Sequence, residues 1–214
     1  MHEHEHEHEH GDQPANTGHD HASWEERYAT APALWSGRVN PTLAAQAGDL
    51  PPARALDVGC GEGADVLWLA EQGWQATGLD WSEVALARAA AHAAAAGLTD
   101  RVEWVRGDVA DWQPPAGAYD LITAHFLHPE AELRHELVPR LAAGVAPGGT
   151  LLWVGHSLDE ARAAVWGAGR FATAAEVLAD LDPQEWDVVV AEALPRPADH
   201  HGHDADEVVR LRRR

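Results

Sequence analysis

Residues Asp57-Val-Gly59-Cys60-Gly61-Glu-Gly63-Ala64 carry the densest chemical signal in the chain. Between a strand and a helix, glycines let a ligand approach the backbone, and the helix N-terminus offers unpaired N–H groups. Gly59, Gly61 and Ala64 satisfy the dinucleotide G-x-G-x-x-G/A spacing, and Asp80 satisfies that pattern's ribose-binding acid. A nicotinamide-dependent oxidoreductase is therefore one reading of the loop. Asp57 speaks against it, because a carboxylate two residues before the first glycine repels a pyrophosphate and suits a cationic ligand. A carboxylate at Asp80 has two acceptor oxygens and no donor, which matches a diol. Farther along, AHFLH brings His125 and His128 together, and His156 closes a later apolar run. An imidazole such as His125 can take a proton from an oxygen or nitrogen nucleophile near neutral pH.

These residues need strands and helices to place them. Apolar runs ending in turn residues predict strands at 53–58, 74–80, 101–108, 119–126 and 149–156. Helical periodicity lies between them at 64–73, at 82–97 with a serine cap and a glycine stop, and at 129–145. Strands alternating with helices imply a parallel sheet covered on both faces. Ahead of the first strand, SWEERYAT from Ser23 and PTLAAQAG from Pro41 read as short helices. The end of the chain changes character. After helical residues 171–181, EWDVVVAEAL and DADEVVRLRRR follow each other without a helix between them, which predicts an antiparallel pair at the sheet edge. Arg210 and Arg212 fall on one alternating face there and read as edge protection. Trp68, Trp104, Trp112, Trp153 and Trp186 fall on strand or helix positions and read as core filling.

With 214 residues and 45% hydrophobic content, the chain can bury one core, so one domain is expected over 22–214. Its net charge of −20 opposes binding to nucleic acid or anionic membranes. No apolar run reaches the roughly 18 residues of a bilayer span, and the first ten residues do not resemble a secretory signal, which makes a cytoplasmic protein the expectation. The single cysteine, Cys60, rules out an intramolecular disulfide and a cysteine cage for zinc. Residues 1–21 lack Val, Ile, Leu, Phe, Trp and Tyr and are predicted to be a disordered His/Glu-rich tail. Extended, that tail sets His2, His4, His6, His8 and His10 on one face as potential ligands for a divalent metal. His200, His201 and His203 form a second cluster, in a polar loop between the last two strands.

Four segments in order, LDVGCGEGADVLWLAEQGWQATGLDWSEVALARA, GDVADW, YDLITAHFLH and VAPGG, resemble a class I S-adenosylmethionine-dependent methyltransferase. The resemblance covers about residues 22–214 and is nearest to small-molecule enzymes of the tellurite-resistance and thiopurine methyltransferase type. It implies a Rossmann-like three-layer sandwich, with a seven-stranded, mostly parallel sheet whose last strand is antiparallel. It also implies S-adenosyl-L-methionine as cofactor and a small-molecule acceptor, with an oxygen, nitrogen, sulfur or metalloid nucleophile left open. By position, Asp57, Gly59, Cys60 and Gly61 match the motif that holds the methionine part. Asp80 matches the acid on the ribose, Trp81 the residue packed on adenine, and Asp108 and the Val109 backbone the contacts to the adenine edge. His125 lies at the rim where this family places groups beside the reacting methyl. The segment over 22–50 corresponds to a lid, in which Trp24, Tyr28 and Trp35 would wall the acceptor and Arg38 would hold a carboxylate. The remaining alternatives are the nicotinamide oxidoreductase and a non-catalytic metal-binding module working through the His/Glu tail.

Overall fold

The computed structural model describes residues 21–31, 33–157, 171–196 and 205–214. The metal-binding reading of the tail histidines and the loop with His200, His201 and His203 fall outside the described residues. His21, assigned to the tail from sequence, is instead the first residue of helix α1.

The elements are α1 (His21–Thr30), α2 (Pro41–Ala47), β1 (Arg54–Val58), α3 (Ala64–Glu71), β2 (Gln75–Asp80) and α4 (Glu83–Ala96). There follow β3 (Val102–Arg106), β4 (Tyr119–His125), α5 (Ala131–Gly144), β5 (Val145–Ser157), α6 (Ala174–Ala179), β6 (Trp186–Pro195) and β7 (Ala205–Arg213). One seven-stranded sheet has the order β3-β2-β1-β4-β5-β7-β6. The pairs from β3 to β5 are parallel, and β7 runs antiparallel to both of its neighbours.

Alternation along β1 divides the core. Leu56 and Val58 join the cluster under α5 and α6, with Leu137, Leu141 and Val177. Ala55 joins the opposite cluster under α2 and α3, with Leu43, Val66 and Leu69. Successive side chains point to opposite faces of a strand, so a short run that is apolar throughout fills both sides of a covered sheet. Helix α4 is capped by Ser82, whose hydroxyl accepts from the Ala85 N–H at 3.2 Å, and stops at Gly97 in the left-handed region. Trp153 and Trp186 are core residues, and Trp68, Trp104 and Trp112 pack on the core from partly buried positions.

Two expectations are corrected. Helix α1 begins at His21, two residues before the start at Ser23 read from the sequence. Strand β7, expected at the edge, lies between β5 and β6, and β6 is the edge. The chain turns back from β6 to lay β7 into the place beside β5, where both rows of backbone groups find partners. Arg210 accordingly protects no edge; it is largely buried and sits 3.8 Å from Asp49.

From β1 the chain moves outward to β2 and β3, then returns to the other side of β1 with β4. Open α/β sheets bind ligands at the carboxyl ends of strands where the order reverses in this way. The glycine loop, Asp80, the loop after β3 and His125 all follow carboxyl ends on that side.

Candidate functional site

The glycine loop is tied to the end of β2. Gly59 and Cys60 donate their N–H groups to the Leu79 carbonyl at 2.8 and 3.0 Å. Asp80 then accepts the Gly61 N–H at 2.8 Å and the Ser82 N–H at 2.9 Å, one on each carboxylate oxygen. Burial raises its pKa, opposed by these N–H donors. Each oxygen keeps a further acceptor direction. Gly63 (φ +82) admits no side chain, since a Cβ would stand 2.7 Å from Trp104 and 2.9 Å from Ala89. Cys60 is a buried thiol whose pKa burial raises well above the usual value, so it acts as a small space-filling residue.

Beneath the loop lie three titratable groups that could each offer one atom to a common cation. His125 Nδ1 is 2.8 Å from Asp65 Oδ2 and 4.0 Å from Asp57 Oδ1. Thr123 Oγ1 donates to Asp57 at 2.6 Å. Burial, followed by the charge of Asp65, lifts Asp57 to about 7. Burial alone would lower His125, but its bond to Asp65 and the charges of Asp65 and Asp57 leave its pKa raised. His125 Nε2 is buried and has no hydrogen-bond partner among the described residues.

At the other end of the carboxyl edge, Trp81 and Asp108 form a slot. The His21 ring stacks on Trp81 with centroids 4.2 Å apart and planes inclined by 13°, and its Nε2 lies 3.1 Å from Asp108 Oδ2. Asp108 Oδ1 accepts the Ala110 N–H at 2.9 Å. Arg140 of α5 reaches the carbonyls of Val109 and Ala110 at 2.8 and 2.9 Å and so shapes this loop.

Residues 21–31 and 33–40 lie over the site. Trp35 Nε1 donates to the Tyr28 hydroxyl at 3.2 Å, and a Cβ at Gly61 would meet these same two atoms. Trp24 packs on both, with ring centroids 6.3 Å from Tyr28 and 6.0 Å from Trp35. Tyr28 is buried, which raises its hydroxyl to about 12 and keeps it neutral. Glu62 of the glycine loop receives the N–H groups of Leu34 and Trp35 at 3.1–3.2 Å. Arg88 pairs with Glu62 at 2.7 Å and donates to the Tyr28 and Ala31 carbonyls at 2.6 Å each. Burial alone would raise Glu62, but Arg88 and the two amides hold its carboxyl below the usual value. Arg38 is exposed, with no ion-pair partner among the described residues.

On the remaining flank, Phe126 follows β4 with φ +52, the sole positive φ on a described residue other than glycine. Such strain persists where the surroundings enforce it and recurs at ligand sites. Its ring stacks on His156 at 4.5 Å, and His128 packs between His156 and Phe171 at 4.8 Å from each. His128 precedes α5 by three residues and belongs to this aromatic wall.

The structure thus brings Asp57, Gly59, Cys60, Gly61, Asp80 and His125 into one region, with Tyr28 and Trp35 over Gly61 and with Trp81, Asp108 and Val109 further along the same edge. Glu62, Asp65, Arg88, Thr123, Arg140 and His21 were not singled out from sequence. Only Asp65 carried a local signal, as an acid in the first turn of a helix; the rest act through partners far away in the chain.

The methyltransferase domain family matches residues 55–149. A trans-aconitate 2-methyltransferase from Streptomyces avermitilis is 35% identical over 134 residues, 60% of this chain and 49% of that protein. A probable thiol methyltransferase 2 from Arabidopsis thaliana is 30% identical over 142 residues, 64% of this chain and 62% of that protein. The chain therefore matches about half to three-fifths of these relatives' lengths. In fold it is similar to an S-adenosylmethionine-dependent methyltransferase from Mesorhizobium loti, at a TM-score of 0.63 and 21% identity over 81% of this chain and 96% of that one. The matched segment runs from β1 to the start of β5 and includes the glycine loop, Asp80, Asp108 and His125. Residues 55–149, from the first strand to the fifth of a seven-stranded Rossmann-like sheet, are thus similar to the methyltransferase domain family.

Proposed function

We propose that this protein transfers a methyl group from S-adenosylmethionine to a small-molecule acceptor. The carrying observation is Asp80: a buried carboxylate at the carboxyl end of β2, held by two backbone N–H groups beside the glycine loop. That position suits a ribose diol. The residues present also fit the rest of the cofactor. A flat nitrogen heterocycle is already held in the Trp81–Asp108 slot, and the acidic Asp57–Asp65 pair suits a cationic methionine group.

When bound, S-adenosylmethionine supplies an electrophilic methyl group on a sulfonium sulfur. The chain's part is to orient and enclose. Gly59, Cys60 and Gly61 with Asp57 would hold the methionine end, Asp80 the ribose, and Trp81, Asp108 and the Val109 backbone the adenine. Trp24, Tyr28 and Trp35 would exclude water and wall the acceptor, because in-line transfer depends mainly on positioning. Arg38, exposed at the lid, would meet a carboxylate. His125 would take a proton through Nε2 while Asp65 holds Nδ1, the arrangement of an oriented imidazole base. The raised pKa keeps the imidazole protonated to higher pH than a free histidine, so rising pH favours its base form. The named relatives act on trans-aconitate and on thiols, so both carboxylate and thiol acceptors belong in a first screen. No helix among the described residues is long and apolar enough to cross a membrane. A cytoplasmic setting is part of the same reading.

Titration calorimetry with S-adenosylhomocysteine, alongside NAD, tests this reading. Micromolar binding of S-adenosylhomocysteine that disappears in Asp80→Ala is the expected result. Binding of NAD in its place, or of neither, overturns it.

A further inference from the structure

Three residues of α1, His21, Glu25 and Tyr28, are spaced i, i+4, i+7 and so share one face of the helix. Along that face they meet successive parts of the carboxyl edge. His21 lies on Trp81 and Asp108. Glu25 receives the Ser82 hydroxyl at 3.2 Å, two residues past Asp80. Tyr28 stands over Gly61. The helix therefore runs from the slot after β3 to the glycine loop after β1, parallel to the line a nucleoside-bearing cofactor would follow.

We propose that α1 is a self-occluding cover and that His21 competes with the cofactor's adenine for the Trp81–Asp108 slot. This inference rests on the reading of that slot given under Proposed function. An imidazole shares with adenine a flat π-face for Trp81 and a ring-edge nitrogen directed at a carboxylate. The two rings cannot both stack on the same face of Trp81, so adenine enters only when His21 leaves.

The two ends of α1 are held unequally. The Tyr28 end is fixed by the Arg88 guanidinium on two carbonyls and by Glu62 on the amides of Leu34 and Trp35. The His21 end is held by one stacked ring and one polar contact, with the imidazole 58% exposed. The helix rises about 1.5 Å per residue, which separates His21 from Tyr28 by roughly 10 Å. Motion about the fixed end thus clears the adenine slot while leaving the wall over Gly61 in place. Cofactor affinity is reduced by the fraction of molecules in which His21 fills the slot.

Histidine-selective NMR and calorimetry on the full chain test this directly. Without ligand, the His21 ring protons are expected upfield, shifted by the Trp81 ring current, and S-adenosylhomocysteine should move them to solvent-exposed values. His21→Ala should bind S-adenosylhomocysteine about three- to tenfold more tightly, the range that loss of one competing aromatic contact provides. Equal affinity in both proteins, with the His21 signals unmoved by ligand, overturns the competition while leaving the cofactor reading intact. Weaker binding in His21→Ala also overturns it, because His21 would then support adenine. No binding to either protein sinks the cofactor reading and this inference together.

Discussion

Asp65 bonds His125 Nδ1 through one carboxylate oxygen at 2.8 Å, and its other oxygen takes the Asn40 N–H at 2.7 Å. One side chain in the first turn of α3 therefore joins the end of the lid to the buried imidazole. Removing it leaves Asp57, 4.0 Å away, as the nearest carboxylate to His125 and frees the N–H of Asn40, the cap of α2. Asp65→Ala is expected to cost about 3 kcal/mol, the usual consequence of breaking a buried charged pair. Urea denaturation at pH 6 checks the magnitude; a loss below about 0.5 kcal/mol, the level of a surface substitution, would show the pair to be energetically idle.

The raised pKa values of Asp57 and His125 act on stability in the same direction. Asp57 is protonated to about 7 in the folded protein but only to the ordinary carboxylate range when unfolded, so its contribution falls as pH rises from about 4 to about 7. His125 contributes fully below the free imidazole value of about 6.5 and loses that contribution as pH climbs through its raised folded value. Stability should therefore decline from pH 5 to pH 8. Asp57→Asn, which cannot ionise, should gain on the wild type across that interval by about 3 °C or more in Tm. Parallel calorimetric curves for the two proteins would refute the assignment.

Arg88 and Glu62 hold the lid by five bonds to backbone and to each other. Arg88→Ala should speed hydrogen exchange at the Leu34 and Trp35 amides by at least about tenfold, as local opening becomes cheaper than global unfolding. Protection in β1 and β4 should stay near wild type. Uniform loss of protection across the sheet would mean that the pair supports the whole fold and not the lid in particular.

Gly63 combines a left-handed backbone with contacts that leave no room for a methyl group. Gly63→Ala should destabilise by about 3 kcal/mol, from backbone strain of roughly 1–2 kcal/mol and overpacking against Trp104 of similar size. Gly97→Ala, with the same sign of φ but open space around it, should cost only the strain. Equal losses at the two positions would remove Trp104 from the explanation.

The glycine loop, the alternation of strands and helices, and Asp80 were legible because each is a local pattern. A strand buried on both faces must be apolar throughout, a turn that enters the left-handed region favours glycine, and a helix of this kind announces its cap and its stop. The site was only partly legible. His125 stood out as a lone imidazole after a strand, but its partner Asp65 is 60 residues away in the chain. Arg88 looked like one more charge on a surface helix, although it anchors carbonyls 57 and 60 residues earlier.

By itself, then, the sequence determined the kinds of elements, their order and the residue types at the carboxyl edge, since propensity, periodicity and capping act over a few residues. Tertiary structure alone decided that β7 lies inside β6, that Glu62 and Arg88 clasp the lid, and that His21 rests on Trp81. Those outcomes depend on which distant groups meet once both faces of the sheet are covered, and backbone pairing and buried charge must then be satisfied by whatever residues the packing brings within reach.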